Sequence, residues 1–433
     1  MRKDILKDLF FYVFVIIMTF LLYQRDIGGA SISKFLFLFV VVTYAIIADY
    51  SHLMMAIAFV LPLTNGLPGN YILPILCILL LIKGSNRVKI PNTVWIAFIT
   101  IALWEFFFIM AFSGSPDIPF YIGFCSAIFL LFFVGGTNDN VSDNSKNALW
   151  FCIGSVVMTS IIMLNFQQLM ETQLAEMDVR IGNTSVLSGD EGMTLQTNPN
   201  NIGLYSIAAI TISFALWYYK KIKAWLLAII MVPAFLAGVY SFSRTWILTA
   251  AFFIVLLLFY FRKGKVNRLS LTVLVIVALF GVYYFFTNYG SDALEFMLGR
   301  FQNENLSSGG DRLGVFQAYN DWMTSHLWSF VTGVGTQTYK DVTLIYNSPH
   351  NAFHQILLAY GLPGLFLFVL LLYQCFKKWR IKNERINLVP FFVILLFLQT
   401  SQFLMPFFCM FPFVASIFVL KMAKHDSTAN QKT

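Results

Sequence analysis

Apolar residues in this 433-residue chain come in long unbroken blocks, not in the alternating or 3.6-residue patterns of half-buried elements. A helix that crosses a membrane needs roughly 20 mainly apolar residues, sometimes about 17. The blocks therefore predict spans at 9–23, 34–48, 52–66, 69–83, 93–113, 118–134, 149–166, 201–219, 224–240, 245–261, 269–286, 351–373, 387–404 and 406–421. These are fourteen, or twelve if the pairs interrupted at Pro68 and Pro406 each count once. Both numbers are even, which puts the two termini on one side. The expected fold is all-α: a polytopic integral membrane protein with 12–14 transmembrane helices, residues 1–433 forming one membrane domain. The first block follows Arg2, Lys3 and Lys7 as a signal peptide would, but no small-x-small cleavage site follows it. It is expected to be a retained first helix.

Two polar intervals are long, 167–200 and 287–350. Structureless loops beyond about 15 residues are usually functional or disordered. The second is too aromatic for disorder, and Asp311 to Trp328 reads as an amphipathic helix with Leu313, Phe316, Met323 and Leu327 near one face. Gly333-Val334-Gly335 is expected to end it, and the interval to form a partly helical periplasmic cap.

Composition agrees: 58% of residues are hydrophobic and 12% charged, where a soluble chain carries about 25% charged residues. Charge then orients the chain. Of the 29 Lys and Arg residues, 22 fall in one set of alternating loops and 7 in the other. The richer set, which holds both termini, is expected to be cytoplasmic. The opposite loops hold 13 acidic residues against those 7 bases, so the overall +8 reflects topology and not nucleic-acid binding. The five cysteines show no CxxC pair or zinc-ligand spacing.

Against this acidic outer face, three helix starts carry polar groups: Asn198-Pro199-Asn200-Asn201, Ser243-Arg244-Thr245 and Ser348-Pro349-His350-Asn351. All three helices run from outside to inside and aim their positive dipole ends outward, where anions bind. With Arg244 on one, they suit a polyanionic headgroup such as a diphosphate; ordinary capping at a membrane interface is the competing reading. His350, read as the second position of its helix, is held neutral by the dipole and fit to take a proton from a sugar hydroxyl. A purely structural histidine is the alternative. His354 lies one turn on, which would allow a two-histidine metal site, although no carboxylate or thiolate stands at ligand spacing. Arg180 and Arg312 suit phosphate in a bidentate fork, or simply pair with Asp178 and Asp311. Glu105 is a carboxylate well inside a span, by default functional, or else bonded to a neighbouring helix.

Ser243-Arg244-Thr245, Gly310-Asp311-Arg312-Leu313 leading to Gly333-Val334-Gly335, and His350-Asn351 followed by Gly361-Leu362-Pro363-Gly364-Leu365 together resemble the O-antigen ligase and polymerase superfamily. The resemblance covers roughly 195–372. It implies an inverting glycosyl transfer, without metal or cofactor, from an undecaprenyl-diphosphate-linked glycan to an acceptor, at the periplasmic face of the bacterial inner membrane. It implies further that Arg244 and Arg312 hold the diphosphate and that His350 activates the acceptor hydroxyl. Arg180, Asn200, Asn351 and His354 are expected to bind substrate. A Wzy-type polymerase for O-antigen, capsule or exopolysaccharide is favoured over a ligase to lipid A core, with a chain-length regulator as a plausible partner. A lipid-linked glycan flippase is the rival from another class. Transporters, however, commonly show internal repeats and midplane sites, whereas here no repeat is seen and polar residues gather at the outer rim. A dolichol-type glycosyltransferase and a membrane O-acyltransferase find less support in the sequence.

Overall fold

The computed structural model describes residues 2–85, 88–113, 115–137, 143–173, 198–241, 243–261, 283, 312–382 and 385–422. Helices α1 (Arg2–Asp26), α2 (Lys34–Ile47), α3 (Tyr50–Val60), α4 (Gly69–Gly84), α5 (Asn92–Phe112), α6 (Ile118–Gly136), α7 (Asn144–Gln173), α8 (Pro199–Tyr218), α9 (Ala224–Tyr240) and α10 (Arg244–Phe261) come first. Then follow α11 (Arg312–Ser325), α12 (Ser329–Thr332), α13 (Tyr339–Thr343), α14 (Ala352–Lys382), α15 (Leu388–Leu398) and α16 (Phe411–Leu420). No strand occurs among the described residues. Six helices are long and apolar enough to cross a membrane, and seven shorter apolar helices accompany them. Each of these thirteen falls on one of the predicted blocks; the remaining block, 269–286, lies outside the described residues except for residue 283. The chain is an all-α polytopic membrane protein.

α5 shows the pattern that lipid demands. Ile96, Leu103, Phe107 and Met110 recur at helical spacing and are exposed, whereas Glu105 on the other side is fully buried. Exposed contiguous apolar surface of this kind marks contact with something other than water. Position in the bundle follows from burial: 89% of the most apolar window of α8 is buried, against 22% for α1. α8 is therefore a central helix and α1 a peripheral one. Within the bundle, small residues let backbones approach, as in membrane helix packing generally. Gly154 of α7 sits against the Phe59 carbonyl of α3, where a Cβ would not fit.

Three details depart from the pattern read along the chain. The predicted 311–328 helix ends at Ser325, and the short α12 follows. Its buried pair is Tyr319 and Met323, one turn apart, while Leu313, Phe316 and Leu327 are exposed. A helix with two partly apolar faces gives one to the protein and leaves the other for something else. Gly333 ends α12, not α11, and takes φ +70°, a conformation suited to glycine. The predicted span 387–404 is helical only to Leu398, and Gln399 to Pro406 runs on without helix.

α14 is one helix in two halves, with Gly361 at φ +63° and Pro363 two residues later. Pro363 has no N–H to give to the Ala359 carbonyl one turn back. The loop supplies the missing donors: Val334 N–H bonds the Leu358 carbonyl and Gly335 N–H the Ala359 carbonyl, both at 2.9 Å. A Cβ on Gly361 would lie 2.6 Å from the Phe330 carbonyl oxygen. Thus Gly333-Val334-Gly335 and Gly361-Leu362-Pro363, separate in sequence, form one joint between loop and helix.

Candidate active site

The helix starts singled out above converge at one end of the bundle. At the head of α8, the Asn198 side chain accepts from Asn200 N–H at 2.8 Å, with Pro199 in the first turn. The Asn200 amide oxygen in turn accepts from the Ser243 hydroxyl at 2.9 Å, tying this start to that of α10. Trp246, in the first turn of α10, donates its indole N–H to Ser206 of α8 at 3.0 Å and packs on Gly238 of α9. That anchor fixes the turn carrying Arg244.

The third start is placed differently from the sequence reading. α14 begins at Ala352, and Asn351 is its cap: the Asn351 side-chain oxygen accepts from His354 N–H at 3.0 Å. Pro349 and His350 precede the helix, so its dipole is not what keeps His350 neutral. Burial, and after it the Arg312 guanidinium, push the His350 imidazole down to about 4. The ring is neutral at pH 7 by desolvation and by a neighbouring cation.

The non-helical segment after α15 closes the arrangement. Asn351 donates to the Gln399 carbonyl at 3.1 Å, and Arg312 donates to the Thr400 carbonyl at 3.0 Å. The Thr400 and Thr245 hydroxyls are 2.8 Å apart. Gln355 braces both sides, giving its amide N–H to the Pro349 carbonyl and accepting from Phe403 and Leu404 N–H. Four separate pieces of chain thus meet here: the starts of α10, α11 and α14, and the end of α15.

Between them lies a cavity of about 400 Å³, within the roughly 300–1,000 Å³ of ordinary ligand sites. Its walls include Arg244, Arg312, His350, Asn351 and His354, five of the seven expected site residues. Asn200 stands one hydrogen bond behind the wall, through Ser243. Arg180 lies outside the described residues. Thr245, Leu248 and Pro349 also line it, as do Gln399, Thr400, Leu313 and Phe316, none of them among the expected site residues. The polar run Gln399-Thr400-Ser401-Gln402, set inside an otherwise apolar block, was the available signal for Gln399 and Thr400.

The cavity holds polar groups whose needs the protein leaves unmet. His354 is only 5% exposed, yet neither ring nitrogen has a partner; nor has His350 Nδ1. Buried polar atoms are nearly always bonded, so such exceptions need a reason. His354 sits between the rings of Phe316 and Tyr319, with centroids 4.5 and 5.9 Å away. Among the described residues no group of three or more His, Cys, Asp or Glu side chains is placed to hold a metal ion. Chemically, the cavity offers two guanidinium groups for an anion, a neutral imidazole for a proton, and amide and hydroxyl groups for sugar-like hydroxyls.

The fold and this cavity define a polytopic membrane protein with an arginine- and histidine-lined site built from helix ends. Residues 229–369 match the family model described as O-antigen ligase, a stretch that contains Arg244, Arg312, His350 and both glycine motifs of the joint. This match supports the O-antigen ligase and polymerase superfamily for the chain, and with it membrane glycosyltransferase-like activity. No curated protein matches the chain.

Proposed function

We propose that the protein is a polymerase of undecaprenyl-diphosphate-linked oligosaccharide repeat units, acting at the extracytoplasmic face of the bacterial inner membrane. The single observation that carries the glycosyl-transfer part of this reading is the cavity shared by Arg244, Arg312 and His350, a donor site that polymerase and ligase would share. The acceptor hydroxyl oxygen attacks the anomeric carbon of the donor as the bond from that carbon to the diphosphate oxygen breaks, inverting the configuration. His350 takes the hydroxyl proton, and Arg244 and Arg312 stabilise the charge gathering on the departing lipid diphosphate. The diphosphate is already a good leaving group, so two fixed cations and one base suffice. Asn351 and His354 line the wall that sugar hydroxyls of the substrate would face. The 22-to-7 division of basic residues supports cytoplasmic termini and an outward-facing site.

The test uses a host strain lacking the gene, complemented with wild type, His350→Ala or Arg244→Ala at matched membrane levels. Surface glycans are extracted and run on a gel. Collapse of the ladder to a single repeat unit supports a polymerase. Long glycan stranded on the lipid carrier assigns the site to a ligase instead. An unchanged ladder from both variants removes the site assignment and favours a flippase.

A further inference from the structure

Glu105 takes no part in the chemistry above, yet it is the most heavily bonded carboxylate among the described residues. It lies within α5, fully buried. Its oxygens accept from Thr336 N–H at 2.9–3.0 Å, from the Thr336 hydroxyl at 2.5 Å and from Gln337 N–H at 3.1 Å. A further bond comes from the Tyr360 hydroxyl at 2.9 Å. Next to it, Trp104 donates its indole N–H to the Thr332 carbonyl at 2.8 Å. One turn of α5 therefore grips the loop on both sides of Gly333-Val334-Gly335, and grips α14 at the residue before its bend.

The gripped segment leads to the cavity. α13 follows Thr338, and the chain then passes through Ile345 and Asn347, whose carbonyls both accept from the Tyr319 hydroxyl of α11. Three residues after Asn347 comes His350. The Ile345–Asn347 stretch thus spans between α11, which carries Arg312, and the residues that place the imidazole. Arg244, on α10, is fixed independently through Trp246.

We propose that Glu105 is a positioning residue for the transfer reaction, an acceptor that locks the Thr336–Gln337 turn and Tyr360 together and so aims His350 into the cavity it shares with the arginines. This rests on the glycosyl-transfer reading of the cavity. Removing the acceptor frees the joint and displaces the base, while the arginines remain to hold the lipid diphosphate. The loss then falls on kcat more than on KM. A carboxamide keeps an oxygen for the two N–H groups, and its NH₂ faces a Tyr360 hydroxyl able to accept. Glu105→Gln should accordingly recover most of what Glu105→Leu loses.

The experiment uses full-length protein in lipid nanodiscs and, as substrate, lipid-linked repeat units extracted from a host strain lacking the gene. Rates are referred to folded protein. Glu105→Leu is expected to lower kcat at least 30-fold with KM within about threefold, and Glu105→Gln to stay within about threefold in both. Thr336→Val and Tyr360→Phe, each removing one donor, are expected to lower kcat three- to tenfold, and they carry the test if Glu105→Leu does not fold. A kcat per folded molecule that is unchanged in Glu105→Leu, or in both single-donor variants, overturns the proposal and leaves Glu105 a stability element only. Arg244→Ala run alongside separates the two claims: if it keeps full activity, the cavity reading itself has failed.

Discussion

In two polar regions of this membrane protein, the joint and the cavity, the buried titratable side chains are treated in opposite ways. At the joint, the Glu105 carboxylate receives donors from Thr336, Gln337 and Tyr360, and the carbonyls of Leu358 and Ala359 are met by Val334 and Gly335. In the cavity, His354 has no partner at either ring nitrogen, and His350 has none at Nδ1. A buried polar group left unmet costs about 1–3 kcal/mol. Glu105 belongs to a bonded frame, although the Gln337 amide nitrogen beside it has no partner, whereas His350 and His354 stand in the cavity wall. The difference separates what holds the site from what does its chemistry.

That contrast yields graded expectations. The largest effect belongs to the cavity: His350→Ala should lower kcat by about 10²–10⁴-fold, the usual range for a lost general base, measured by single-turnover transfer. Its pH profile sharpens the point. His350 acts unprotonated and its pKa lies at about 4. The acidic limb of kcat/KM should therefore fall near that value, not near the ordinary histidine value of about 6.5. Arg244→Ala should come next, losing about 10²–10³-fold, as when one oxyanion donor is removed. On the frame side, Gly361→Ala places a Cβ against the Phe330 carbonyl at positive φ. It should cost about 1–3 kcal/mol, visible as a lower midpoint in thermal unfolding. The smallest effect is that of Asn198→Ala, which removes the cap of α8. It should cost about 1 kcal/mol of stability and change transfer little. If Asn198→Ala damaged catalysis as much as His350→Ala, the division between frame and chemistry would be wrong.

The sequence already carried the helices, because lipid imposes a length and a composition that one chain displays openly. It also carried part of the cavity lining: Arg244, Arg312 and His350 stand out as rare charged or titratable groups near helix starts. Where reading failed, the cause was local. Asn351 and His350 are adjacent, and only backbone geometry shows that the cap is Asn351. Leu313 and Phe316 have the spacing of a core face, yet they line the cavity. Gln399 and Thr400 read as part of a span because the apolar run around them looks like one helix, whereas the helix stops at Leu398. The partners of Glu105 stand more than 200 residues away along the chain, and no periodicity can pair them.

The central claim is that one cavity holds a lipid diphosphate through Arg244 and Arg312 while His350 serves the chemistry alone. The direct measurement is equilibrium binding of undecaprenyl diphosphate to nanodisc-embedded wild type, Arg244→Ala, Arg312→Ala and His350→Ala. The account predicts at least tenfold weaker binding for each arginine variant and near wild-type affinity for His350→Ala. Equal affinity across all four proteins would contradict it.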